Sequence, residues 1–342
     1  MMRSPSSFAV AVRKHSGEIL LRESPWQPIG KRFTFLRWPF FRGSVVLVES
    51  LVNGISALNF SAKVALEDMV DTASNQSPNN PPADEKADWA VWGTVAIALA
   101  LGVGLFVALP HLVVWAGSQM VGQELTVRDL GFHIIVGMVK LGVFLGYLGL
   151  ISLMKDVRRL FMYHGAEHQS IYTYEAGEPL TVEYARKHSP LHPRCGTTFL
   201  LLVIALSIVM FSMVFPPLLW LLGEPTSIGW LNQLIYIMIK IPLLLPLAGL
   251  AYEFQRVISN HMDRAWVRML SWPGMLVQRL TTRPPTDDQL EVALTSLRKT
   301  LWRENIGATA SAAVLTQTIT FPNFEAVVSE LGEGGGSVVF KA

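Results

Sequence analysis

Residues 197–222 read TTFLLLVIALSIVMFSMVFPPLLWLL, without one charged side chain. A helix needs roughly 20 apolar residues to cross about 30 Å of hydrocarbon, so this run fits a transmembrane helix. Working outward, Trp89 to Ala108, Ile134 to Met154 and Leu234 to Ala251 meet the same requirement. All four are expected to be helical, because lipid offers no partner to an open backbone group. The whole chain agrees: 342 residues with 51% hydrophobic, 16% charged and a mean hydropathy of +0.36 exclude an ordinary soluble enzyme. A net charge of +2 without a dense basic block gives nothing to track a phosphate backbone, so nucleic acid is not an expected partner. The single cysteine, Cys195, cannot close an intrachain disulfide.

Orientation follows the cations. Lys155, Arg158, Arg159, Arg186, Lys187 and Arg194 lie between the second and third spans, which places that connection in the cytoplasm. Only Arg128 lies between spans one and two, and no lysine or arginine separates spans three and four. Basic segments at both ends then predict cytoplasmic termini, in a bacterial inner membrane. The first apolar stretch soon meets Arg13, Lys14 and His15, so no secretory signal is expected.

The segments outside the spans complete an all-α polytopic fold with a small N-terminal hairpin. Phe8 to Arg13 and Glu18 to Glu23 read as strands around Lys14-His15-Ser16-Gly17. Val45 to Leu66 carries Glu49, Asn53, Ser56 and Lys63 at helical spacing and reads as an amphipathic helix in the cytoplasmic interface, with a re-entrant or spanning helix as the alternative. The organisation is therefore a hairpin and interfacial helix over 1–70, a linker over 71–88, a four-span domain over 89–255, cytoplasmic helices over 256–302 and a low-complexity tail over 303–342. Within the four-span domain, 155–196 is the histidine-rich loop. Gln255 to Leu280 and Thr286 to Trp302 are expected to pack on the membrane surface, the first with Trp266 and Trp272 at headgroup depth.

Four of the eight histidines fall between positions 164 and 192. His164-Gly165-Ala166-Glu167-His168 is the H-x-x-E-H arrangement of inverted zincins. Two imidazoles four residues apart share one helix face and can bind one ion. Glu167 beside them is placed to act as a general base. The rival reading is a set of interfacial side chains that merely satisfy one another.

His192-Pro193-Arg194-Cys195-Gly196-Thr197 follows directly before span three. A histidine and a cysteine three apart can share a metal. Glu253, at the cytoplasmic end of span four, is a candidate carboxylate ligand, and Glu175 and Glu178 could serve as ligands or orient a histidine. Lys140 and Lys240 lie deep in spans two and four, where an ammonium needs a partner or a wet cavity. Without deep carboxylates or an inverted repeat, a transport pathway lacks its usual parts.

Tyr163 to His168, Tyr174-Glu175-Ala176-Gly177-Glu178, His192 to Thr197, Ala251-Tyr252-Glu253-Phe254 and Leu280-Thr281-Thr282-Arg283, with Met1 to Pro5 and Phe8 to Arg13, together resemble one family. It is the bacterial membrane-protein family of domain of unknown function 1385, described as predicted metal-dependent enzymes. The likeness covers roughly residues 1 to 300 and implies His164, Glu167, His168, His192, Cys195 and Glu253 as motif positions. Family members carry a Gly-Gly-Gln-Ala stretch and a glutamate ahead of Met-Met-Arg; if that glutamate belongs to the site, this chain lacks it.

The combined expectation is a membrane metalloenzyme, a zinc hydrolase at the cytoplasmic interface. His164 and His168 hold a divalent ion, Glu167 is the base, and Cys195, His192 or Glu253 completes the shell. The bilayer is the expected partner, and a lipid or membrane-associated peptide the expected substrate. The alternative is a non-enzymatic scaffold with a structural His/Cys site.

Overall fold

A computed structural model describes the chain except residues 32, 40, 74–86, 123–124, 126–128, 224–225, 308–315 and 333–342. Strands β1 (Met2–Arg3), β2 (Ser7–Arg13) and β3 (Ile19–Pro25) come first. The expected hairpin joins β2 to β3 through a turn in which Gly17 takes φ 92, a backbone conformation that favours glycine. Then follow α1 (Phe41–Ala73), α2 (Ala87–Val103), α3 (Leu109–Val121), α4 (Leu130–Ile151), α5 (Lys155–Glu175), α6 (Val182–Ala185), α7 (Gly196–Leu222) and α8 (Gly229–Asn260). The chain ends with α9 (Ala265–Thr281), α10 (Asp287–Gly307), β4 (Gln317–Phe321) and α11 (Phe324–Leu331).

Among the described residues, five helices rather than four are long and apolar enough to cross a membrane: Phe41–Asp68, Gly93–Val121, Leu130–Ile151, Gly196–Leu221 and Gly229–Asn260. The additional helix is the stretch read as amphipathic, and it is longer than its polar residues suggest because Glu49 and Asn53 are buried instead of solvated. The run read as Trp89 to Ala108 also continues, to Val121. Pro110 lacks the amide that would close a helical bond, and a π-helical turn at Gly104–Ala108 precedes it and carries the helix on. Most of the expected linker, and Arg128, lie outside the described residues.

The second difference is the sheet. Its order is β1-β2-β3-β4, antiparallel throughout, with Leu21 of β3 opposite Ala11 of β2 on one side and Ile319 of β4 on the other. The tail read as low complexity thus supplies an edge strand. β2 is covered on both faces: Phe8 and Val10 pack on Ala57, Phe60 and Val64 of α1, while Ala9 and Ala11 pack toward Val292 of α10.

Helix α10, expected on the membrane surface, is instead the centre of this unit. Leu290, Leu294 and Leu297 meet Ala166, Leu180 and Ala185 on its other side, next to α5. Its buried cations are paired: Lys299 and Arg303 lie 3.2 and 3.0 Å from Glu23, and Arg298 donates to the carbonyl of Leu180 at 2.7 Å. A buried carboxylate of this kind is tolerated because both its oxygens are satisfied.

The apolar bundle packs Phe132 and Val136 of α4 against Phe211 and Phe215 of α7 and Tyr236 of α8. Lys140 lies 3.4 Å from the Ser207 hydroxyl, and Lys240 donates to His111 Nδ1 at 3.0 Å. His111 Nε2 is in turn 2.8 Å from Gln233 Oε1. Outside the bundle, α9 exposes Trp266 and Trp272 while burying Ser271 and Gln278.

Candidate metal centre

The H-x-x-E-H motif lies on α5, so helical geometry alone stacks His164 over His168, with ring centroids 4.4 Å apart. Neighbouring elements then aim the rings. His164 Nδ1 is 2.9 Å from the Thr281 carbonyl at the end of α9, and His168 Nδ1 is 2.6 Å from the Pro190 carbonyl. A carbonyl can only accept, so each Nδ1 carries a proton, and Nε2 is the nitrogen left to offer a lone pair to an ion once it is deprotonated.

Cys195 caps the start of α7, and its Sγ sits 3.4 Å from His164 Nε2. Ligand atoms of His164, His168 and Cys195 all lie within 4.8 Å of one another, the one such group of metal-binding side chains among the described residues. A tetrahedral zinc with bonds of about 2.3 Å to sulfur and about 2.0 Å to nitrogen holds those atoms about 3.5 Å apart. The 3.4 Å between the Cys195 sulfur and His164 Nε2 matches that separation, and the N/S donor set is one that zinc accepts.

The sulfur and the imidazoles also adjust one another's protonation. Burial opposes a thiolate at Cys195, but hydrogen bonds and positive charge from His164 and His168 outweigh it and bring the thiol down to about 5. Burial likewise opposes charge on His164, yet the hydrogen bond and charge of Cys195, with the Thr281 carbonyl, push it up to about 9. The metal-free chain therefore holds a thiolate beside an imidazolium.

The close approach to α5 of the segment that follows α9 depends on Gly165. A Cβ there would lie 2.2 Å from the Arg283 carbonyl oxygen, while the Arg283 amide donates to the Phe161 carbonyl at 3.0 Å. The glycine inside the motif is thus a packing requirement.

The remaining expected residues lie elsewhere. His192 has both ring nitrogens committed: Nδ1 accepts from the Arg194 amide at 3.2 Å, and Nε2 donates to Glu175 at 3.3 Å. Its ring stands 5.7 Å from that of His168, behind the site. Burial alone would raise the Glu175 carboxyl, but His192 and Arg194 hold it below the ordinary value. Glu178 pairs with His188 at 2.7 Å. Glu253 forms a two-pronged ion pair with Arg42 at the start of α1, away from the triad. Glu167 faces the cavity beside His164 and accepts from the Met1 amine.

Several positioning residues escape a motif search. Gln278, buried in α9, accepts from the His192 amide at 2.9 Å and donates to the His192 carbonyl at 2.8 Å. Gln255 of α8 donates to the Cys195 carbonyl at 2.9 Å. Their signal in the sequence is a glutamine on an otherwise apolar helix face, which is legible only once a partner is known.

A family model described as "Protein of unknown function (DUF1385)" matches residues 38–303, a range that contains the triad and the helices that hold it. The chain is also 28% identical over 301 residues to a Bacillus subtilis (strain 168) protein described as "Uncharacterized protein YqhQ", a match covering 86% of each. No solved structure matches it. With the family model spanning well over half its length, the chain belongs to the DUF1385 family.

Proposed function

We propose that this protein is a multi-pass membrane metalloenzyme, a zinc hydrolase whose site lies at the cytoplasmic face of a bacterial cell membrane. The observation that carries the reading is the shared orientation of His164 and His168. Both Nδ1–H groups are spent on backbone carbonyls, so the two Nε2 atoms and the Cys195 sulfur are the groups that converge. Three protein ligands with one position free is the pattern of catalytic rather than structural zinc. When bound, the ion would supply Lewis acidity at that free position. Glu167, one residue before His168 and facing the cavity, would take the proton from the attacking water. His192 and Glu175 would stiffen the wall behind His168.

The topology supported best is four crossings with α1 lying along the interface. β1 to β3 and β4 share one sheet, so the chain between them crosses the bilayer an even number of times. α1 stays beside that sheet for much of its length: Glu49 accepts from the Ile29 amide at 2.7 Å, Phe60 and Val64 pack on Phe8 and Val10, and Asp68 accepts from the His15 amide at 2.8 Å. The cation-rich α5 and the 186–194 segment support a cytoplasmic position for this side and for both described ends.

The test is metal content of the purified protein beside variants. One zinc per chain is expected in the wild type and in Glu167→Gln, with background levels in Cys195→Ser and His168→Ala. Absence of stoichiometric metal from the wild type overturns the proposal.

A further inference from the structure

A cavity of about 810 Å³ opens beside the triad, enclosed by β2, the β2–β3 turn, α1, α5 and the start of α10. Its volume is that of a site for a sizeable small molecule, for which about 300–1,000 Å³ is usual. His164 and Glu167 form part of one wall. Val12, Val64, Leu58, Leu160 and Phe161 make much of the rest apolar.

Two of those side chains say how the cavity is reached. Leu58 of α1 is 58% exposed and Leu160 of α5 is 51% exposed, although both line it. That part of the rim is apolar, while His15, Arg159, Thr286 and Asp288 make the rest of it polar. Leu47, Leu51 and Leu66 of the same helix also stand exposed. Exposed leucines of this density cost nothing against acyl chains and a good deal against water.

Charge narrows the occupant. Arg13 is held by Asp288 and Glu291, and Lys14 lies 3.8 Å from Glu18. Arg159 also lines the cavity and has no acidic partner among the described residues. An uncommitted guanidinium next to an apolar slot matches an anionic group carried on a hydrocarbon chain.

We propose that this cavity takes an anionic phospholipid from the surrounding bilayer, one acyl chain entering between Leu58 and Leu160 and the phosphate reaching Arg159 beside His164 and Glu167. As a statement of substrate class this rests on the metalloenzyme reading, but the binding itself needs no metal. A peptide would want backbone partners along its length, and the stretch formed by Leu58, Val64, Leu160 and Phe161 offers none.

The experiment measures lipid retained by zinc-stripped protein in detergent after phosphatidylglycerol, phosphatidylcholine or oleate is added, with zinc content assayed separately. Gly54→Phe fills the cavity: a Cβ at Gly54 meets only the Met1 Cε, at 4.0 Å, and the helix keeps its geometry. The wild type is expected to retain one phosphatidylglycerol per chain and to prefer it at least tenfold over phosphatidylcholine. Gly54→Phe should lose that retention with its melting temperature and zinc content unchanged. Arg159→Gln, an exposed substitution that spares the fold, should erase the headgroup preference. Retention unchanged in Gly54→Phe, equal binding of the two phospholipids, or oleate or an apolar peptide displacing phosphatidylglycerol each overturns the inference. Lipid bound by a chain that never holds zinc supports the inference while removing the metal reading; zinc without lipid does the reverse.

Discussion

Histidines gather in two regions of this molecule, and the regions treat them differently. In the bundle, Lys240, His111 and Gln233 form a closed relay in which both imidazole nitrogens of His111 have side-chain partners. At the edge of α5, His164 and His168 each spend one nitrogen on a backbone carbonyl and turn the other toward a sulfur. The lesson is that a buried histidine's role is set by which groups occupy its two nitrogens. His111 is tied to a lysine and a glutamine, whereas His164 and His168 keep one nitrogen each beside a sulfur, the arrangement that the proposed ion would use.

The largest effect expected from this contrast is in the pH dependence of zinc affinity. His164 is protonated in the metal-free chain below about 9 and Cys195 is ionised above about 5, so binding expels one proton throughout that window. Affinity should fall as pH is lowered, about 100-fold from pH 8 to pH 6. Competition titrations with a chromophoric chelator would read this, and a flat profile would break the thiolate–imidazolium assignment.

Next in size is Gly165→Ala. Its methyl group would meet the Arg283 carbonyl, forcing the segment after α9 away from α5. A loss of about 2 kcal/mol in unfolding free energy is expected, by analogy with overpacked cores, together with weaker zinc binding. Thermal melts with and without chelator separate the two effects. In the bundle, His111→Leu should cost about 1 kcal/mol by stranding Lys240, and leave zinc content untouched. Zinc loss in that variant would dissolve the distinction between the regions. The smallest effect belongs to Glu253→Gln, which breaks only the pair with Arg42; stability should change by about 1 kcal/mol or less and zinc not at all.

Much of the site was legible in the sequence because it is local. The spacing of His164, Glu167 and His168 is a helical spacing, and α5 is a helix. Cys195 and His192 sit in one short motif, yet only the cysteine joins the group with His164 and His168. The Arg194 amide takes one nitrogen of His192 and Glu175 the other, which no spacing reveals. Glu253 was separated from the site by Arg42, a residue 211 positions earlier in the chain. The nature of α1 was hidden for a similar reason: Glu49 and Asn53 look solvent-facing until the N-terminal segment covers them.

By itself, then, the sequence determined that this is a helical membrane protein with a histidine motif on a rigid helix next to its most cationic connection. Those properties depend on composition and on periodicity over a few turns, which the chain carries locally. The tertiary structure alone decided that a strand near the C-terminal end completes an N-terminal sheet, that α10 is a core helix, and that Thr281 and Pro190 orient the two imidazoles. Strand pairing and hydrogen-bond acceptance join groups far apart in the chain, and their energies exist only once packing has brought those groups within reach.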